Sequence, residues 1–202
     1  MRIVGLTGSI AMGKSETANM FRRLGVPVLD ADAVVHALYA RGGEAVPLVE
    51  KRFPGTVVEG AVDRRRLAAA ALGDDEAMRD LEAIVHPMVR VREKDFLLEA
   101  RKAGHRLVLL DIPLLYETGR DGQMDEVVVV TAPEHVQIER ALRRPGMTRE
   151  KLSAILARQL ADSEKRRRAH HTIDTSAGLE HAFEQVRAVV DALLERKGRL
   201  KR

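Results

Sequence analysis

The amino-acid sequence predicts an α/β protein whose parallel sheet is covered on both faces. Short runs rich in Val, Ile and Leu recur along the chain. They are mostly continuous rather than alternating, as in strands buried on both sides. Longer stretches of helical period follow them, and that alternation builds a three-layer sandwich.

In order, "RIVGL" (2–6), "VPVLD" (26–30), "RLVLLD" (106–111), "EVVVVT" (126–131) and "HTID" (171–174) read as five strands. Helical patterns occupy 14–24, 32–40, 134–143 and 178–196, the third opening on the proline of "APEH". Two regions interrupt the rhythm. Residues 42–104 hold no clear strand beyond "GTVVEG" and read as an inserted helical subdomain, with its longest helix near 87–103. Residues 144–170 are charged and helical and are expected to form a mobile cover. The remainder, about 1–41, 105–143 and 171–197, is the core of a single domain spanning 1–202.

Composition narrows the function classes. Of the 202 residues 45% are apolar and 32% charged, as in a globular protein. Cysteine is absent, which excludes disulfides, thiolate metal sites and a Cys nucleophile. No stretch is long enough to span a bilayer and "IVGL" is too short for a signal core, so a cytoplasmic protein with no membrane partner is expected. The charge of +4 arises from "RRR" (64–66), "KRRR" (165–168) and the C-terminal "ERKGRLKR". With aromatics at 3% there are few stacking platforms, so no nucleic-acid partner is expected. The clusters read as solvated helical faces or a grip on a small polyanion.

Between the first strand and first helix stands Gly8-Ser9-Ile10-Ala11-Met12-Gly13-Lys14-Ser15, which satisfies G-x-x-x-x-G-K-[ST]. The glycines let successive backbone N–H groups turn inward around a phosphate. The following helix adds the positive end of its dipole. Lys14 is suited to reach β- and γ-phosphates, and the Ser15 hydroxyl to ligate Mg²⁺. The position after a strand and before a helix is the one this chemistry needs, so the loop reads as a phosphate site. Asn19 is the sole asparagine, which excludes a guanine-binding N-K-x-D, and G-x-G-x-x-G is absent. A small-molecule kinase remains.

"VLDADAVVH" ends the second strand with Asp30 and opens a helix near Asp32. Asp30 is suited to cap that helix, leaving Asp32 to accept a proton from, or orient, an acceptor hydroxyl. His36, one turn on, is a packing residue or a ligand contact. "RLVLLDIPLLYETG" has the apolar-run-then-Asp form of a strand whose Asp111 holds Mg²⁺ through water. Leu114 and Leu115 lead into an apolar wall, and Glu117 is structural or ligand-facing. Arg140 and Arg144, four apart in "ERALRRPG", are expected on one helical face, either contacting phosphate or pairing in solvent with Glu139.

"GLTGSIAMGKS", "VLDADAVVH", "VDRRRL", "LEAIVHPMV", "LLDIPLLYETG" and "ALRRPGMTREKLSAILARQ" stand in an order and spacing that resembles the dephospho-CoA kinase family. The likeness covers nearly all of residues 1–190. It implies a P-loop NTPase fold with a five-stranded parallel sheet, a helical CoA-binding subdomain and a helical lid. It also implies phosphoryl transfer from ATP to the ribose 3′-hydroxyl of dephospho-CoA, the last step of coenzyme A biosynthesis, with Mg²⁺ as cofactor.

By position, the resemblance implies catalytic roles for Asp32, Lys14 and Arg140. It places Gly8, Ser9, Ile10, Ala11, Met12, Gly13, Lys14, Ser15, Glu16 and Arg144 at ATP. Thr7, Asp32, His36, Arg64, His86 and Pro87 fall to the acceptor, although His86 before Pro87 is equally a packing residue at a helix start. Ser15 and Asp111 fall to the metal, and Gln159 to the lid. The chain also departs from the family pattern. Ala11 and Met12 occupy a segment that commonly holds glycine or serine, and Ala11 is tolerable unless its φ is positive. Glu16 replaces a small hydroxyl residue, and "AHHTIDTSAG" replaces A-D-x-x-I-x-N. Another nucleotide kinase, or a phosphate-loop protein without turnover, are the alternatives. A monomer or weak homo-oligomer is expected.

Overall fold

The computed structural model describes residues 1–71 and 73–195. The last positions given above to the core and to the final helix, and the basic tail from residue 196 onward, lie outside the described residues. The chain divides into two compact units, Met1–Val28 with Ala100–Arg202, and Leu29–Glu99. The second unit begins at Leu29, so it includes the helix after the second strand as well as the expected insertion.

The first unit contains β1 (Arg2–Thr7), α1 (Lys14–Arg23), β5 (Leu107–Asp111), β6 (Glu126–Thr131), α6 (Glu134–Leu142), α7 (Arg149–Leu156), α8 (Asp162–Arg168), β7 (His171–Asp174) and α9 (Leu179–Glu195). With β2 (Val28–Asp30), whose Val28 belongs here, the main sheet has five parallel strands in the order β2-β5-β1-β6-β7. Its register pairs Val4 with Leu109, Leu6 with Val128, and Val130 with Ile173. These residues form one continuous apolar face, closed by Phe21 of α1 and Val186, Val190 and Leu193 of α9. At Gly5 the opposite face is so close to Leu115 and Met124 that a Cβ would lie 2.8 Å from Leu115 Cδ2. Fully buried valines and leucines on neighbouring strands make the rigid base from which the strand ends project.

The second unit contains α2 (Ala31–Tyr39), α3 (Val46–Arg52), the two-residue strands β3 (Val57–Val58) and β4 (Ala61–Val62), α4 (Arg64–Ala71) and most of α5 (Asp75–Lys102). "GTVVEG" thus becomes half of a small antiparallel hairpin. Leu38, Val49, Phe53, Leu67, Val85 and Val89 form this unit's own core. The longest helix starts at Asp75, twelve residues before the expected position, and Pro87 lies inside it. Proline suggests a helix start because it lacks an N–H. Here the apolar spacing of Ala77, Leu81, Ile84, Val85, Met88 and Val89 carries the helix through it. Among the described residues no helix is long and apolar enough to cross a membrane.

Candidate functional site

The loop from Gly8 to Ser15 joins β1 to α1, as its sequence requires. Gly13 caps α1 with φ 93° and Lys14 is the helix's first residue. Gly8 is held beneath Val130, where a Cβ would fall 2.6 Å from the Val130 carbonyl oxygen. Ser15 and Glu16 are exposed at the start of α1, so the helix presents a hydroxyl and its unpaired N–H groups together. Lys14 Nζ lies 2.6 Å from Asp111 Oδ1 at the end of β5. Asp111 is 1% exposed. The parallel pairing of β1 with β5 brings these two residues together, because both strands end at the same edge.

Ala11 has φ 63°, so the tolerance expected for a non-glycine residue there does not hold free of strain. A left-handed backbone at an L residue costs about 1–2 kcal/mol. Packing offsets it. Ile10 and Ala11 belong to an apolar cluster with Ile138 and Ala141 of α6, Met147, and Leu152 and Leu156 of α7. Met12 is buried in the main core, and its sulfur accepts the Ala132 N–H at 3.1 Å. Ala11 is therefore apolar because α6 and α7 pack on it, and Met12 because it enters the main core. The charged segment 144–170 thus also carries the apolar residues Met147, Leu152 and Leu156 that pack with this loop.

Polar contacts complete the attachment. Both peptide groups of Ile10 are held by glutamines: Gln137 Nε2 donates to its carbonyl at 2.8 Å, and its N–H donates to Gln159 Oε1 at 3.1 Å. The next residue's N–H, Leu160, donates to Glu117 Oε1 at 2.8 Å, and Lys165 Nζ lies 2.8 Å from the same oxygen. Glu117 is structural. Burial by itself raises its carboxyl, but Lys165 and the Leu160 N–H outweigh this and hold it below the usual range. The rest of "KRRR" is also paired: Arg166 with Asp162, Arg167 with Glu164, and Arg168 with Asp121. Arg168 also covers the Tyr116 ring at 4.3 Å. Burial pushes the Tyr116 hydroxyl up to about 12, with Arg168 opposing.

Arg140, in the last turn of α6, donates through Nη1 to Thr175 Oγ1 at 2.8 Å and through Nη2 to the Thr175 carbonyl at 2.7 Å. Thr175 Oγ1 in turn donates to the Met12 carbonyl at 2.8 Å. Arg144 does not share a helical face with Arg140. The helix ends at Leu142, and Arg144 is exposed in the turn beyond it, while Arg143 takes Glu139 as partner. Thr7 is fully buried, and its hydroxyl donates to the Pro113 carbonyl at 2.9 Å, holding the turn after β5 rather than standing open to a ligand. The sequence reading passed over Gln137 and Thr175. The available signals were a polar residue inside an apolar helical face and a hydroxyl directly after the last strand.

In the second unit, Asp30 caps α2 by accepting the Ala33 N–H at 3.0 Å. Asp32 and His36, one turn apart, are both exposed on that helix. Arg64 is the exposed first residue of α4. The preceding Asp63 accepts the N–H groups of Arg65 and Arg66, which with the arginine charges hold its carboxyl low. His86 and Pro87 are exposed on α5 and mark no helix start.

Comparison with known proteins finds the same pattern over most of the chain. The CoaE dephospho-CoA kinase family pattern matches residues 2–181. A dephospho-CoA kinase of Mesorhizobium japonicum is 57% identical over 198 residues, 98% of this chain and 100% of that protein. Another, from Paramagnetospirillum magneticum, is 60% identical over 166 residues, covering 82% of this chain and 78% of that one. The crystal structure of TT1252 from Thermus thermophilus superposes with a TM-score of 0.82 at 36% identity, covering 98% of both chains.

Proposed function

The chain belongs to the dephospho-CoA kinase family and is an ATP-dependent phosphotransferase, and we propose that Lys14, Arg140 and Asp32 carry its chemistry. The observation that carries this reading is the Lys14–Asp111 pair beside a loop closed by a left-handed Gly13. That arrangement keeps a cation at the mouth of a helix N-terminus, where a polyphosphate gains from both charge and backbone N–H groups.

The acceptor is the ribose 3′-hydroxyl of dephospho-CoA. Asp32 receives the hydroxyl proton as the oxygen lone pair forms its bond to the γ-phosphorus, and the bond from phosphorus to the β–γ bridging oxygen breaks, leaving ADP. Such transition states are loose, so orienting the hydroxyl matters more than strong basicity. Lys14 and Arg140 meet the charge that spreads over the transferring oxygens. Ser15 and Asp111 offer hard oxygen donors, a set that fits Mg²⁺. When bound, that ion shields the phosphate charge and favours the leaving group. Arg64 and His86, with His36 on α2, fall to the acceptor, and all belong to the unit that holds Asp32. A cytoplasmic setting follows from the substrates.

The test is ADP release coupled to formation of the 3′-phosphorylated product, with dephospho-CoA against adenosine and AMP as acceptors. Lys14→Ala and Asp32→Asn are each expected to lower kcat by about 10²-fold or more, the scale of losing a principal charge or proton acceptor. Wild-type turnover retained by both variants overturns these roles.

A further inference from the structure

We infer that Thr175 is a positioning residue for phosphoryl transfer, setting the guanidinium of Arg140 against the phosphate loop through its side-chain hydroxyl. The inference rests on the reading that Arg140 contacts the transferred phosphoryl group. Thr175 stands directly after β7 and is 8% exposed. Its backbone N–H donates to the Thr131 carbonyl at 3.0 Å, which continues the β6–β7 pairing and fixes its place.

Three neighbours converge on this one residue. Its carbonyl and hydroxyl oxygens accept from the two terminal nitrogens of Arg140. Its hydroxyl proton goes to the Met12 carbonyl, inside the loop. Its side chain also fills the space that Gly13 leaves empty, because a Cβ on Gly13 would lie 3.2 Å from both Cγ2 and Oγ1 of Thr175.

The hydrogen-bond count is what makes the arrangement useful. A guanidinium has five N–H groups in one plane. Two are taken by Thr175, and they fix the plane while Nε–H and one hydrogen on each terminal nitrogen remain to be offered. An arginine held at two points loses less freedom when it meets a phosphoryl group than one that swings. The hydroxyl does two tasks at once, accepting from the arginine and donating to the loop, so guanidinium and loop keep one relative geometry. A residue with only a carbonyl to offer could make one of the two arginine contacts and none to Met12.

Substitutions separate the hydroxyl from the methyl. Thr175→Val keeps the shape and the backbone carbonyl but removes the hydroxyl, whereas Thr175→Ser keeps the hydroxyl and removes the methyl. Steady-state kinetics with ATP and dephospho-CoA, after thermal melts establish that each variant folds, gives the readout. Thr175→Val is expected to lower kcat by roughly tenfold to a hundredfold, the scale of misplacing a catalytic group, with a smaller change in KM for ATP. Thr175→Ser is expected to stay within about threefold of wild type. In an Arg140→Ala background, Thr175→Val is expected to add nothing further, because the residue it positions is gone.

The opposite pattern, Val tolerated and Ser impaired, means that Thr175 acts by packing on Gly13 and overturns the inference. Multiplicative losses in the double variant also overturn it. If Arg140→Ala alone keeps full turnover, the role given to Arg140 fails and takes this inference with it. A wild-type protein inactive on dephospho-CoA is a failure of the acceptor assignment instead.

Discussion

Gly8 and Ala11 meet opposite constraints three residues apart. A Cβ at Gly8 would lie 2.6 Å from the Val130 carbonyl oxygen, a backbone atom that cannot swing aside. Gly8→Ala is therefore expected to destabilise the first unit by about 1–3 kcal/mol and to weaken ATP binding, read by thermal melts and a nucleotide titration. Ala11 has the backbone conformation that glycine favours, yet its methyl is buried against Ala141 and Leu152. Replacing it by glycine relieves strain but gives up burial and adds unfolded-chain entropy of similar size. Ala11→Gly should thus lie within about 1 kcal/mol of wild type. A large loss in Ala11→Gly, or none in Gly8→Ala, contradicts this account. The spacing of Gly8, Gly13, Lys14 and Ser15 was legible because it encodes a local turn. The positive φ of Ala11 was not, since it follows from a cluster that residues 138–156 complete from far along the chain.

Among the elements, α7 and α8 show how the segment after α6 is fastened. Glu117 accepts from Leu160 N–H and pairs with the fully buried Lys165, an ion pair by distance that is not aligned as a hydrogen bond. Its carboxyl is held low in the folded protein. The unfolded value is about 4.3, so the stabilisation is fully present above that pH and is lost as pH falls through the lower folded value. Glu117→Gln leaves a buried ammonium without its counter-charge and is expected to cost about 3–5 kcal/mol at pH 7. Plotted against pH, the difference in melting temperature between wild type and Glu117→Gln should be widest near neutrality and shrink below about pH 4. A gap that stays constant to pH 3 removes the ion pair from the explanation. β1, β5 and β6 were readable as apolar runs because burial on both faces, complete in β5 and β6, leaves a local signature. Pro87 concealed the true start of α5 because its missing N–H suggests an N-terminus. Arg144 was given to a helical face by spacing alone, whereas the helix ends at Leu142 before "RPG". Helix ends depend on local capping and backbone choices that residue spacing does not record.

At the scale of the whole molecule, the residues proposed to carry the chemistry fall in two units with separate cores, one built on the sheet and one on α2 to α5. The phosphate loop, Asp111, Arg140, Thr175 and both glutamines belong to the first, while Asp32, His36, Arg64 and His86 belong to the second. Each core encloses its own buried residues, so each can open and be stabilised locally. A ligand stabilises the state it binds by RT ln(1 + [L]/Kd), about 2.7 kcal/mol at a hundredfold excess over Kd. That is enough to slow local amide exchange about a hundredfold wherever the ligand's contacts close the opening. Hydrogen exchange followed by mass spectrometry therefore reads out the assignment directly. ATP alone is expected to protect 8–17 and the stretch 137–160, through the glutamine contacts to Ile10, while leaving 31–39 and 64–71 at their free rates. Dephospho-CoA alone is expected to protect 31–39 and 64–71. In Gln159→Ala, ATP should still protect 8–17 but lose its effect on 149–160, because the contact that ties that segment to the loop is missing. Protection by ATP confined to residues 29–99, or by dephospho-CoA confined to 8–17, would reverse the division of labour between the two units.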